Sequence, residues 1–305
     1  MVRSLIAGFK FTRRRLALVL LFYIIGSVLA FLITLPLHTA LSNALGATGA
    51  GVDLAAHPDP LLWAGIWDDL RTAMRGIFVQ LFWIVPVLLV WKTAASVGLV
   101  NALRDGGVRS FWDGVGRFTG RGLLLAALYL AIGLFMAIGI GVVVAIYVAL
   151  QPGEVASFRA STFVLPISAL TTFAVLDLMH DYSRIGLVKG RGVWGALTEG
   201  LGWPFRHRGA IFIYFAWFVP ALAVVILPTV LDWNLAAATA SGVWSLFLGQ
   251  QLVFLLRAML TVGWWGSEVD YYERVASQEL PLIADAARDR FETGMGQLDL
   301  GSETA

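Results

Sequence analysis

The chain has no cysteine in 305 residues. Disulfides, thiolate metal centres and cysteine nucleophiles are therefore excluded. Charge is scarce as well: 14% of residues are Asp, Glu, Lys or Arg, against 58% hydrophobic, and mean hydropathy is +0.78. A soluble domain cannot cover its surface with so few charges, so the chain belongs in a membrane. Histidine is limited to His38, His57, His180 and His207, at different depths, which gives no pair for axial haem ligation. The sequence also lacks a His-Glu-x-x-His metal site, a Gly-x-Ser-x-Gly elbow and a Gly-x-x-x-x-Gly-Lys phosphate loop. Asp68-Asp69 has no second acidic motif beside it and reads as a helix-capping pair. No catalytic residue, metal or cofactor is assigned, and no nucleic-acid partner is expected.

What the chain does have is long apolar runs. Six stretches reach the roughly 20 residues that a helix needs to cross about 30 Å of hydrocarbon. They cover approximately 16–37, 77–100, 123–149, 160–180, 210–231 and 240–263. A lipid-exposed backbone must satisfy its own hydrogen bonds, and the runs lack the alternation of barrel strands, so the expected fold is all-α. The basic N-terminus resembles a secretory leader, but its apolar run exceeds the roughly 7–15 residues of such a segment and is read as a retained span. Trp194, Trp203, Trp233, Trp264 and Trp265 fall near span ends, where an indole suits the headgroup boundary.

Lys and Arg set the orientation. Five lie before the first span (Arg3, Lys10, Arg13, Arg14, Arg15), four in the second connection (Arg104, Arg109, Arg117, Arg121) and five in the fourth (Arg184, Lys189, Arg191, Arg206, Arg208). Only Arg71, Arg75 and Arg159 fall on the other side. The positive-inside rule then places both termini in the cytoplasm, and the expected location is a bacterial inner membrane.

A short pattern, Phe-x-x-Arg ahead of an apolar run, occurs three times: Phe11/Arg14, Phe118/Arg121 and Phe205/Arg208. Val2-Arg3-Ser4-Leu5 also resembles Val108-Arg109-Ser110-Phe111, and Gly8, Gly114 and Gly200 fall opposite one another. The expected architecture is three tandem two-span units, each preceded by an amphipathic cytoplasmic "elbow" helix. Within each elbow, Gly is expected to permit the bend, and Arg14, Arg121 and Arg208 to anchor to lipid phosphate. The first unit is 20 residues longer, because Phe11 to Phe118 spans 107 residues and Phe118 to Phe205 spans 87. That surplus falls in an outer loop over 42–76, loop-like in 43–60 and helical from Pro60 into the second span.

Aligning the second span of each unit brings Lys92, Asp177 and Arg257 to one level. They lie about 15–17 residues from the outer span ends, roughly 23–25 Å deep at 1.5 Å per residue. A charge at mid-membrane costs roughly 2.5–3.5 kcal/mol on insertion scales, so three together suggest an intramembrane cluster. Lys and Arg can instead snorkel to the headgroups, whereas the short Asp side chain cannot. His180, Asp181, Tyr182 and Arg184 make the exit of the fourth span polar, with the i,i+4 spacing of an interfacial collar. Gln80, Gln250 and Gln251 are assigned to interhelical hydrogen bonds. From Ser267 the composition turns acidic, and 267–305 is expected to leave the 1–266 span domain as a cytoplasmic tail, split by Pro281 and disordered over the last ten residues.

The basic elbows and Asp181-Tyr182-Ser183-Arg184-Ile185 carry a resemblance. The latter looks like the Asp-Tyr-Ala-Arg stretch at the fourth-span exit of bacterial multi-pass families that include the membrane domain ahead of some glycerophosphoryl diester phosphodiesterases. No phosphodiesterase domain accompanies it here, so no activity is implied. The leading expectation is a non-enzymatic scaffold or assembly subunit, contacting the bilayer and a membrane or cytoplasmic protein through elbows and tail. The alternatives are a transporter or lipid-handling protein with a polar cavity at Lys92, Asp177 and Arg257, and an intramembrane enzyme using His180 and Asp181.

Overall fold

The computed structural model describes residues 1–45, 60–151, 153–234 and 240–299, and they contain helices and no strand. In chain order the helices are α1 (Val2–Arg14), α2 (Leu16–Leu45), α3 (Pro60–Asp105), α4 (Gly107–Leu150), α5 (Glu154–Arg159), α6 (Leu165–Val188), α7 (Val193–Arg206), α8 (Arg208–Asn234) and α9 (Ala240–Asp299). A π-helical turn, Ala160–Val164, joins α5 to α6. Five helices are long and apolar enough to cross a membrane: Ile84–Asp105, Gly107–Leu150, Ser157–Val188, Arg208–Pro228 and Trp244–Glu279. The number rises to six if Val2–Arg14 and Leu16–Leu32, which meet at 75°, count as one broken span. As expected, α3 starts at Pro60 and runs unbroken into the second apolar stretch. Residues 43–45 of the expected loop are helical, since α2 runs through Leu45; the rest of that loop, 46–59, the side chains of His38, His57, Asp68, Asp69, Gln80 and Trp233, and the last six residues lie outside the described residues.

The helix α1 shows how these short helices are used. It buries Ser4, Gly8 and Thr12, a stripe of small residues at i, i+4 and i+8, and leaves Val2, Ile6 and Phe9 exposed. The small face packs on α9, where the Thr12 hydroxyl donates to Met259 O at 3.3 Å and Gly8 lies against Gly263 and Ser267. Small residues at i,i+4 on both partners let two backbones approach closely where lipid supplies no hydrophobic drive. The start of α4 packs in the same way on the end of α3, with Gly114 against Asn101 and Gly98, and the Asn101 Nδ2 donates to Ser110 O at 2.8 Å. Finally, α7 packs on α6, with Gly200 against Ser183 and Met179. Each of α3, α6 and α9 thus carries one short helical segment, and the one on α9 comes from the opposite end of the chain.

Arg104, near the end of α3, donates to Val188 O of α6 at 3.3 Å and pairs with Glu273 of α9 at 3.2 Å. One guanidinium therefore ties α3, α6 and α9 together at the elbow end.

Several expectations change. The glycines sit at helix crossings and not at bends: the breaks fall at Arg15 and His207, whose φ/ψ of −117°/42° and −122°/80° leave the helical region. In the second copy there is no break. Phe111, Gly114, Phe118, Gly122, Leu125 and Tyr129 continue one buried stripe along α4, so packing on α3 persists past the Phe-x-x-Arg pattern. Counted from the crossing glycines, Phe11, Phe118 and Phe205 come three, four and five residues later. Each step rotates the side chain by about 100° at 3.6 residues per turn, which is why Phe118 is core and Phe205 is 67% exposed.

The tail boundary at 267 moves too. Ser267 and Glu268 are fully buried, α9 stays packed through Glu279, and its helix runs on to Asp299 without a break at Pro281. The aromatic belt is likewise redistributed. Trp203 and Trp265 are buried in the body, while Trp194 is exposed.

Candidate functional site

Four polar residues follow one another on a single face of α6: Asp177, His180, Asp181 and Arg184, at i, i+3, i+4 and i+7. The faces of α3 and α9 opposite them supply Lys92 from the first and Arg257, Thr261, Trp264 and Trp265 from the second. Lys92, Asp177 and Arg257 line one cavity of about 290 Å³, together with Asp181, Arg184, Ala221 and Val225. The three residues singled out from sequence are therefore brought together. They are not level, however. Asn101, Ser183 and Ser267 occupy matching places against the crossing glycines, and Lys92, Asp177 and Arg257 precede them by nine, six and ten residues. Asp177 thus lies three to four residues, about 5 Å at 1.5 Å each, nearer the elbow end.

Nor do these three form the ion-pair cluster considered from sequence. The pair in the wall is Asp181 with Arg184, at 2.9 Å, with both side chains 6% exposed. Arg184 Nη2 also lies 2.8 Å from His180 Nδ1. A guanidinium only donates, so that imidazole nitrogen must accept. The His180 ring stacks on Tyr129 with centroids 4.6 Å apart, and the Arg184 Cζ sits 5.4 Å from the Trp265 ring centroid. Asp177 accepts from the Tyr214 hydroxyl at 3.1 Å. Lys92 and Arg257 are in no ion pair among the described residues, and both are exposed. The cavity wall therefore holds three cations and two carboxylates, with one cation and one carboxylate already paired.

The polar exit of the fourth span is consequently a buried network, with His180 alone half-exposed at its edge, and not a solvated collar. Tyr182 points away from the cavity. It is fully buried, stacked with Trp203 and Tyr272, and its hydroxyl has no partner among the described residues. Behind it, Glu199 of α7 takes a hydrogen bond from the Tyr272 hydroxyl at 2.7 Å and pairs with Arg191 at 2.7 Å. Lys189 Nζ lies 4.6 Å from the centroid of the Tyr272 ring. Burial lowers its ammonium below the usual lysine value, opposed by Glu273 and Glu199. Arg14, Arg121 and Arg208 are all exposed and in no ion pair among the described residues. Tyr23 donates to Gln251 at 2.7 Å, the interhelical use expected of that glutamine.

Sequence reasoning missed Tyr129, Tyr214 and Glu268, and read Trp264 as a headgroup-boundary indole although it lines the cavity. Glu268 takes a hydrogen bond from Trp264 Nε1 at 2.8 Å, and its second carboxylate oxygen is buried without a partner among the described residues. A signal existed: Arg257, Thr261, Trp264 and Glu268 are spaced i, i+4, i+7 and i+11, a single helical face. Among the described residues no three His, Asp or Glu side chains are grouped to hold a metal ion. No family model, curated protein or solved structure matches this chain.

Proposed function

We propose that the chain is a six-span bacterial inner-membrane protein with cytoplasmic termini that binds a charged ligand in its cavity, as a transporter or lipid-handling protein. The observation that carries this reading is the convergence of Lys92, Asp177 and Arg257 on one cavity while none of the three is in an ion pair among the described residues. A purely structural cluster would pair its charges, because an unpaired intramembrane charge is costly. A cavity built to receive a ligand leaves them open. We further propose that α3, α6 and α9 are the second spans of three repeated units, each covered by an elbow, with kinship to the multi-pass families that share the Asp-Tyr-x-Arg exit. The fourteen Lys and Arg residues on the elbow side support the orientation, and the exposed apolar residues of α1 suit a helix lying in the headgroup layer.

The scaffold reading used the elbows together with a free acidic tail beginning at Ser267. Packing of 267–279 into the body shortens that device. Extraction of the tagged protein into native nanodiscs, followed by mass spectrometry of everything retained, separates the two. A lone protein that keeps a small molecule or lipid, reduced about tenfold in Arg257→Gln for a loss near 1.4 kcal/mol, supports the ligand site. A stoichiometric protein partner, with Arg257→Gln indistinguishable from the natural chain, contradicts it.

A further inference from the structure

An apolar groove adjoins the charged cavity. That groove, about 460 Å³, lies between α3, α4 and α6 and shares Lys92, Asp177 and Arg184 with the cavity. Away from those charges its walls are aliphatic and aromatic: Leu130, Leu134, Phe173 and Leu176. A second apolar pocket of about 240 Å³ continues it along the α4/α6 seam, sharing Gly133, Ala137, Phe173 and Leu176 and reaching Leu165. From Leu176 to Leu165 is eleven residues, or about 16 Å at 1.5 Å each. Small side chains keep the seam open: Gly133, Ala137 and Ala169 line it, and a methyl group at Gly133 would sit 3.4 Å from Leu176 Cδ1.

Cavity, groove and seam pocket share wall residues in turn, cationic at one end and apolar at the other, which is the polarity of an amphiphile. We propose that it binds an anionic phospholipid, with the phosphate beside Lys92 at the cavity mouth and one acyl chain along the α4/α6 seam. Charge decides the headgroup. Arg184 is engaged with Asp181, so Lys92 and Arg257 face Asp177 alone and leave a positive excess. Basic pockets between helices at the cytoplasmic side hold anionic headgroups in this manner. A zwitterionic lipid would bring its own ammonium against the same cations. The inference rests on the cavity being a ligand site, and it specifies the ligand.

The full chain, reconstituted in nanodiscs of dioleoylphosphatidylcholine with a minor fraction of dioleoylphosphatidylglycerol and released into detergent, tests this by native mass spectrometry. The natural chain should retain phosphatidylglycerol in preference to phosphatidylcholine. Lys92→Gln should lower that retention about tenfold, and Ala137→Phe, which fills the slot away from the charges, by a similar factor. Val219→Phe, on an exposed flank of α8 outside both pockets, should leave it unchanged. If Ala137→Phe is not monodisperse, Ala169→Leu fills the facing wall. Equal retention of both lipids, or no change with Lys92→Gln and either slot variant, overturns the proposal. Excess glycerol 3-phosphate should not displace the lipid; displacement would assign the site to a free phosphate ester and overturn the acyl slot. Thiol labelling of Thr261→Cys reads the cavity independently. A labelled cavity with unselective lipid retention removes the lipid assignment alone, and an unlabelled one removes the ligand site as well.

Discussion

Replacing Arg184 with alanine is expected to destabilise the protein by about 3–5 kcal/mol, the scale found when one partner of a buried ion pair is removed. Asp181 and Arg184 each expose 6% of their side chains, and their contact is 2.9 Å. Without the guanidinium, the Asp181 carboxylate stays buried with no hydrogen-bond donor in place of the one it lost. His180 loses its 2.8 Å contact and Trp265 its cation. Removing both charges should be far milder, because the main cost of the single change is an orphaned charge and not a lost attraction. Thermal unfolding in a fixed detergent reads this out. Arg184→Ala should lower the midpoint strongly, while Asp181→Asn/Arg184→Gln should recover most of it. A single variant with natural stability would show that the pair is not buried as the structure has it.

The second large effect concerns Gly200. A side chain there would run into the Ser183 hydroxyl, and its first carbon would lie 2.5 Å from Met179 O and 2.7 Å from Ser183 N. Backbone cannot yield as a flexible side chain can, so α7 would have to lift off α6. Overpacking of this kind costs about 1–3 kcal/mol even in forgiving cores, and here it also disturbs the Tyr129–Ser183 hydrogen bond of 2.8 Å and the Tyr182–Trp203 stack beside it. Gly200→Leu should therefore yield little monodisperse protein in size-exclusion chromatography. Gly202→Ala is the matched control: its new methyl meets only the Arg206 side chain, at 3.6 Å, and alanine favours the helix. Natural behaviour of Gly200→Leu would dismiss the close crossing of α6 and α7.

The helical class and several membrane-spanning lengths were legible because they rest on local chemistry, the length and polarity of apolar runs. So was the convergence of Lys92, Asp177 and Arg257 on one cavity, since a charge inside an apolar run stands out from composition alone. The glycines were located correctly and misread: a sequence shows that Gly8, Gly114 and Gly200 recur, but only the facing helix shows that they serve close approach and not bending. Glu268 was lost for a related reason. In sequence it opens an acidic stretch, and it is buried because its side of α9 faces Asp181 and Arg184 of α6, a neighbour far away in the chain. Trp203 and Trp265 illustrate the same limit, since an indole near a span end has identical local context whether it faces headgroups or stacks inside an elbow.

The central claim is that Lys92, Asp177 and Arg257 surround a space that water enters from the elbow side. The absence of cysteine makes this directly measurable, because a single substitution supplies a unique thiol. Ala221→Cys and Thr261→Cys place it in the cavity wall, and Val219→Cys places it on the exposed flank of α8. A membrane-impermeant maleimide needs a hydrated thiolate to react. The account predicts rapid labelling of Ala221→Cys and Thr261→Cys in inverted vesicles, none in sealed right-side-out cells, and none of Val219→Cys from either face. Failure of both cavity positions to label from the cytoplasmic side, or labelling from the outside alone, would contradict it.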